Sequence, residues 1–162
     1  MKGRASRGFF VGGPTIGHDG AVPKEQQSEE PAQLGRQVAA EGVGTFFLLL
    51  AVIGSGIMAE TLSPNDVGLQ LLENSFATAG ALVCLILVFS AASGAHFNPV
   101  VTLWARSEGE LDNRSAAAYI GAQVIGGILG VIAANVIFDL DAIFWSTTDR
   151  GTWNLFVSEV IA

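Results

Sequence analysis

The stretch "SGAHFNPVVT", residues 93–102, decides how this chain is to be read. It closes a long apolar run and interrupts it with Gly94, His96, Asn98 and Pro99. Proline fixes its own φ and pushes the residue before it out of helical geometry, so a helix can start at Pro99 but cannot run through it. Asn98 is a good N-cap for such a start, with Pro99 at the first helical position. The helix that follows, "VVTLWAR", is about two turns of mostly apolar residues and is too short to span a bilayer.

The rest of the chain has a membrane composition. Of 162 residues, 50% are hydrophobic and 14% charged, with 20 glycines. Mean hydropathy is +0.48. The apolar residues come in blocks instead of alternating with charged faces. Residues 37–59 hold one charge, Glu41, while residues 74–92 and 115–138 hold none. Each block is about the 20 residues a helix needs to span roughly 30 Å of hydrocarbon.

The formal net charge is −7, but the placement of the charges says more than their sum. Basic residues are retained on the cytoplasmic side of spanning helices, and acidic ones have little effect. Lys2, Arg4, Arg7, Lys24 and Arg36 precede the first block, and Arg106 and Arg114 lie between the second and third; only Arg150 falls elsewhere. The N-terminus is therefore expected inside, with Glu60, Asp66, Glu73, Asp139, Asp141 and Asp149 in outer loops. Residues 1–33 mix Gly, Pro, Gln and charges without an apolar period and read as a disordered cytoplasmic tail. Phe9, Phe10 and His18 lie in it.

Several function classes drop out. No basic patch stands beside aromatic residues, so no nucleic acid is expected. No Cys, His or carboxylate cluster has metal-ligand spacing, and no nucleophile and base pair sits in the spans. The chain is thus not read as an enzyme, and no cofactor or metal is implied. Cys84 has no partner for an internal disulfide and reads as a small packing residue. Trp145 stands where an outer membrane interface is expected.

Two readings of residues 93–106 remain open on local physics. The first is a re-entrant loop, in which Gly94 bends the chain, the backbone of "SGAH" presents carbonyls, and the half-helix presents free N–H groups at membrane depth. Such backbone is tolerated in a bilayer only when buried in protein or lining a water-filled cavity, which suits a channel or transporter. The second is a cytoplasmic turn followed by an amphipathic surface helix, with His96 a structural hydrogen-bonding residue.

The sequence resembles the major intrinsic proteins, the aquaporins and aquaglyceroporins. The matching residues are "SGAHFNPVVTL" for the first signature loop, "AEGVGTFFLLL" with Glu41 for the first helix, and "YIGAQVIGGILG" with Gln123 for the third. "VSEVIA", with Glu159 standing as Glu41 does, looks like the helix that opens an inverted second repeat. The resemblance implies an all-α transmembrane, aquaporin-like right-handed helix bundle. Residues 34–162 would be its N-terminal half: spans at about 37–59, 74–92 and 115–138, a re-entrant loop at 93–106, and a truncated fourth span from 153.

The resemblance also implies passive flow of water or small neutral solutes such as glycerol, and a homotetramer of independent pores in a bacterial inner membrane. Asn98 would donate to passing water, and Gly94, Ala95 and His96 would offer carbonyls. Two Asn donors and two positive helix ends would then exclude protons and cations. Glu41, Gln123 and Glu159 would anchor the loops. Val100 stands where the family usually has Ala, and an ungapped count puts Thr78 near the constriction, which suggests a wider pore. Gly126 and Gly130 form a small-xxx-small pair, read as packing within the bundle in preference to a tetramer interface. Three helices and a stub cannot complete a six-helix pore, so the expectation is a piece of a longer protein or a half that pairs with another half. The alternatives are a non-conducting three-span scaffold or interaction protein, and an unrelated inverted-repeat transporter for small anions.

Overall fold

The computed structural model describes residues 24–143 and 151–161, with side chains from residue 32 onward within those limits, Glu159 apart. The described elements are α1 (Lys24–Leu62), α2 (Val67–Ser93), α3 (Pro99–Ser107), α4 (Asn113–Ile137) and α5 (Trp153–Ile161). No strand occurs among the described residues. Residues 1–23 of the expected tail, with Phe9, Phe10 and His18, and also Trp145, lie outside the described residues. α1 begins at Lys24, within the stretch read as tail. Arg36 onward forms one compact unit and the stretch up to Gly35 a separate one.

Among the described residues three helical segments are long and apolar enough to cross a membrane: Ala32–Leu62, Val67–Ser93 and Asn113–Ile137. At 1.5 Å per residue the shortest, of 25 residues, is about 38 Å long, more than the roughly 30 Å of a hydrocarbon core. Their large side chains lie mostly on the surface: Phe76 is 80% exposed, Leu87 75% and Ile125 62%. Such faces are unfavourable in water and at home in lipid or against further protein.

Local chemistry sets the helix ends. Ser63 to Asp66 make a tight turn in which the Asp66 N–H donates to the Ser63 carbonyl (3.2 Å). Asp66 then caps α2 by accepting from the Leu69 N–H (2.9 Å). At the other end Gly94 takes φ +91° as a left-handed C-cap, its N–H donating to the Ser90 carbonyl. Asn98 and Pro99 start α3. Asp112 caps α4 through the Ser115 N–H (2.7 Å). Past α4, the buried Asn135 ties the chain down: its carbonyl accepts from Leu140 N–H and its Nδ2 donates to the Ala142 carbonyl.

α1 and α4 run parallel and close together, as three successive contacts show. A Cβ on Gly126 would overlap the Gly42 carbonyl, and one on Gly130 would overlap the Phe46 carbonyl. Higher up, a Cβ on Gly54 would meet the Phe138 ring at 3.3 Å. Close backbone approach is what small residues provide between membrane helices. Gly126 and Gly130 therefore pack inside the bundle. α5, with nine residues, is about 13 Å long, and its Trp153 and Phe156 rings stack at 5.4 Å.

Candidate functional site

The centre of the compact unit is polar. Glu41, Thr102, Tyr119 and Gln123 are its largest fully buried side chains. Tyr119 and Gln123, four residues apart on α4, share a helix face, and Thr102 lies one turn into α3.

Glu41 is 0% exposed, which would be costly in an apolar interior without partners. It has four. Oε1 accepts from Ser93 Oγ (2.6 Å) and His96 N–H (2.9 Å); Oε2 accepts from Phe97 N–H (2.7 Å) and Gln123 Nε2 (2.9 Å). Four donors fill the four lone-pair sites of an ionised carboxylate. Two of them are consecutive backbone N–H groups more than fifty positions along the chain.

The backbone of residues 94–98 explains that geometry. Ala95 has φ +55° and Phe97 φ +48°, conformations that L-residues with a Cβ adopt at a cost of about 1–2 kcal/mol each. Left-handed residues on either side of His96 turn successive N–H groups toward one point, a nest that suits an anion. Glu41 is that anion. Further ties hold the loop in place: the Ala95 N–H donates to Ser93 Oγ (3.2 Å), and the Tyr119 hydroxyl donates to the Ser93 carbonyl (3.1 Å). The buried Phe97 ring sits where a Cβ on Gly44 would be and meets Phe89 edge-on at 5.9 Å.

Thr102 links the loop to α3 and α4. Its Oγ1 lies 3.1 Å from His96 Nδ1, accepts from Gln123 Nε2 (2.9 Å) and donates to the Asn98 carbonyl (3.2 Å). Gln123 Nε2 is thus shared between Glu41 and Thr102, while its buried Oε1 has no partner among the described residues.

At the head of α3, Asn98 Oδ1 accepts from the Val100 N–H (2.8 Å). That bond fixes the amide so that the Nδ2 donor is left over, on an exposed residue. Among the described residues nothing donates to the carbonyls of Gly94, Ala95 or His96, whereas all three of their N–H groups are engaged. Val100 is 71% exposed beside Asn98.

The structure thus brings Glu41, Gln123, Gly94, Ala95, His96, Asn98, Pro99 and Val100 into one assembly. Thr78 stands apart on α2, its Oγ1 buried with no partner among the described residues. The Glu159 side chain lies outside the described residues. Sequence reasoning missed Ser93, Phe97, Thr102 and Tyr119. Two signals were present: Asn98 with Thr102 and Tyr119 with Gln123 are pairs of hydrogen-bonding residues four apart in apolar helices.

An all-α integral membrane protein whose short helix begins within an anchored, non-helical loop belongs to the class with backbone placed to line a cavity. The family can be stated. A sequence model of the major intrinsic proteins matches residues 28–161, and the chain belongs to that family. It is 43% identical over 129 residues to aquaglyceroporin AqpS of Rhizobium meliloti (strain 1021), covering 80% of this chain and 55% of that protein. To aquaporin Z of Photorhabdus laumondii subsp. laumondii it is 34% identical over 121 residues, covering 75% and 52%. To aquaporin Z of Rhodopseudomonas palustris it is 35% identical over 135 residues, covering 75% and 55%. The chain spans about half the length of these curated relatives.

Proposed function

We propose that the chain supplies one half of a passive membrane pore for water and small neutral solutes such as glycerol. The observation that carries this is the state of Asn98: its Oδ1 is consumed by the Val100 N–H, so an exposed side chain offers Nδ2 as a fixed donor at the positive end of α3. A water or hydroxyl oxygen arriving there accepts from Nδ2, and the carbonyls of Gly94, Ala95 and His96 accept its hydrogens in turn. With a second Asn donor opposite, as the family resemblance implies, a central water has both hydrogens turned outward and a proton wire is interrupted. The positive end of α3 repels cations. Glu41 and Gln123 act as positioning residues, since their bonds go to the loop backbone and to Thr102.

Glycerol-like solutes are included on two grounds. One relative bears the name aquaglyceroporin. Thr78, read at the constriction, is a small residue, which suits a wider pore. The complete channel is proposed as a homotetramer in a bacterial inner membrane with its N-terminus cytoplasmic, the side on which seven of the eight basic residues then fall.

Proteoliposome swelling tests the reading. The complete channel containing this chain should pass water or glycerol, and Asn98→Asp, which replaces the donor with an acceptor, should cut that flux at least tenfold. Unchanged flux in the variant would remove Asn98 from the pore. No flux in the wild type would favour a non-conducting scaffold.

A further inference from the structure

Opposite the polar network, α1 and α4 enclose an open groove of about 880 Å³ lined by apolar side chains and small residues, among them Val38, Val43, Phe47, Gly121, Ile125 and Leu129. None of Glu41, Thr45, Tyr119 or Gln123 lines it. On α1 the lining runs from Val38 to Phe47 and on α4 from Ala118 to Leu129, about 14 and 17 Å along the axes. One leaflet of a roughly 30 Å hydrocarbon core has that depth.

A pair of cations stands at one end. Arg36 precedes Ala39 by three residues and Val43 by seven; Arg114 precedes Ala118 by four and Gly121 by seven. Helical spacing puts both on the face that lines the groove. Because α1 and α4 run parallel, with Gly42 against Gly126, both lie toward the same end of it, Arg114 about 9 Å further along the axis than Arg36. Both are exposed, and among the described residues neither has a hydrogen-bond partner, whereas Arg106 is engaged by Asn113. Asp112, two positions before Arg114, is hydrogen-bonded by Ser115 and also feels the Arg114 charge.

We propose that this groove binds an anionic phospholipid, one acyl chain lying along it and the phosphate held between Arg36 and Arg114. The match is in chemistry and in length: an apolar channel one leaflet deep, with two exposed guanidinium groups, neither hydrogen-bonded among the described residues, at its end. Guanidinium is the side chain best suited to phosphate oxygens, and basic sites between membrane helices select anionic headgroups.

Native mass spectrometry of the detergent-purified complete channel containing this chain, with added dioleoyl phosphatidylglycerol or dioleoyl phosphatidylcholine, tests this. The wild type should retain phosphatidylglycerol in preference. The double variant Arg36→Gln/Arg114→Gln should lose about thirtyfold of that preference with phosphatidylcholine binding unchanged. Gly121→Leu fills the groove without collision, since a Cβ there meets nothing within 4 Å, and should lower binding of both lipids. Unchanged melting of both variants without lipid would show that loss of binding is not loss of fold. A preference that survives the double variant, or wild-type phosphatidylglycerol binding by Gly121→Leu, would overturn the proposal. So would displacement of the lipid by glycerol 3-phosphate alone, which has the charge but no chain.

Discussion

Replacing Glu41 by Gln isolates the anchoring of the loop, because the amide keeps the shape of the carboxylate while one of its two ends becomes a donor. An NH₂ at the Oε2 position would face the Phe97 N–H, which cannot accept, and the Gln123 amide, which can accept only by flipping and giving up its Nε2 bond to Thr102. At the Oε1 position it would face the His96 N–H and the Ser93 hydroxyl, and the hydroxyl can rotate to accept. The second orientation is therefore the cheaper one. It leaves the half-buried His96 N–H unpaired, at about 1–3 kcal/mol, and turns the two bonds to Phe97 and Gln123 from charge-assisted to neutral, at about 1 kcal/mol each. Burying a neutral amide costs less than burying a charge, which offsets part of this. A net loss of about 3 kcal/mol in loop anchoring follows, roughly a hundredfold in the ratio of anchored to released loop.

Hydrogen exchange read by mass spectrometry on a peptide spanning residues 93–98 measures that ratio, since the His96 and Phe97 amides exchange only when the loop leaves Glu41. Exchange should accelerate about a hundredfold in Glu41→Gln while α4 peptides beyond Gln123 keep their rates. The backbone adds to the effect. Positive φ at Ala95 and Phe97 is held against a cost of about 1–2 kcal/mol each, so a released loop has reason to relax away from the nest. Exchange within about threefold of wild type would refute the assignment of Glu41 as the anchor and leave the loop held by Ser93, Tyr119 and Phe97.

Two further tests bear on the scaffold. Gly126→Ala drives a methyl group into the Gly42 carbonyl and should cost about 1–3 kcal/mol of thermal stability in detergent, whereas Gly121→Ala, facing open space, should cost nothing. At the head of α4, hydrogen bonds from the Ser115 side chain and backbone, helped by the nearby Arg114 charge, hold the Asp112 carboxyl below its ordinary value. A depressed folded value means the cap contributes fully above the unfolded value near 4 and is lost as pH falls through the folded one. Exchange protection in the first turn of α4 should therefore drop on acidification into that window, and Asp112→Asn should remove that part of the pH dependence.

The sequence made the spans legible because a membrane helix announces itself by composition over about 20 residues, whatever it packs against. α4 begins two residues before the block read for it, because Asp112 recruits the Ser115 N–H and extends the helix past the apolar edge. α2 begins at Val67, well before residue 74, because a capping Asp66 and its turn tolerate Gln70, Glu73 and Asn74 inside a helix. Those residues find partners beyond their own helix: Asn74 Nδ2 donates to the Val52 carbonyl, Gln70 Nε2 donates to the Ser63 carbonyl, and Ser63 Oγ donates to Glu73 Oε1, whose Oε2 has no partner among the described residues. Local hydropathy sees their polarity and cannot see their partners.

The same limit separates what was legible in the loop from what was not. Asn98 and Pro99 act on neighbours within four residues, so their roles as cap and first helical residue could be read directly. The conformation of Ala95 and Phe97 could not. Nothing local favours a left-handed Ala or Phe; the state exists because a carboxylate on another helix collects the N–H groups it exposes. The carboxylate in turn is tolerated at zero exposure only because that strained backbone supplies two of its four donors. Glu41 and the loop therefore stabilise each other, and neither is an independent feature of the fold. Turning the N–H groups inward to Glu41 also leaves the carbonyls of Gly94, Ala95 and His96 without donors among the described residues. In the proposed pore, a buried acid that looks purely structural is what would make that row of acceptors available to a permeating solute.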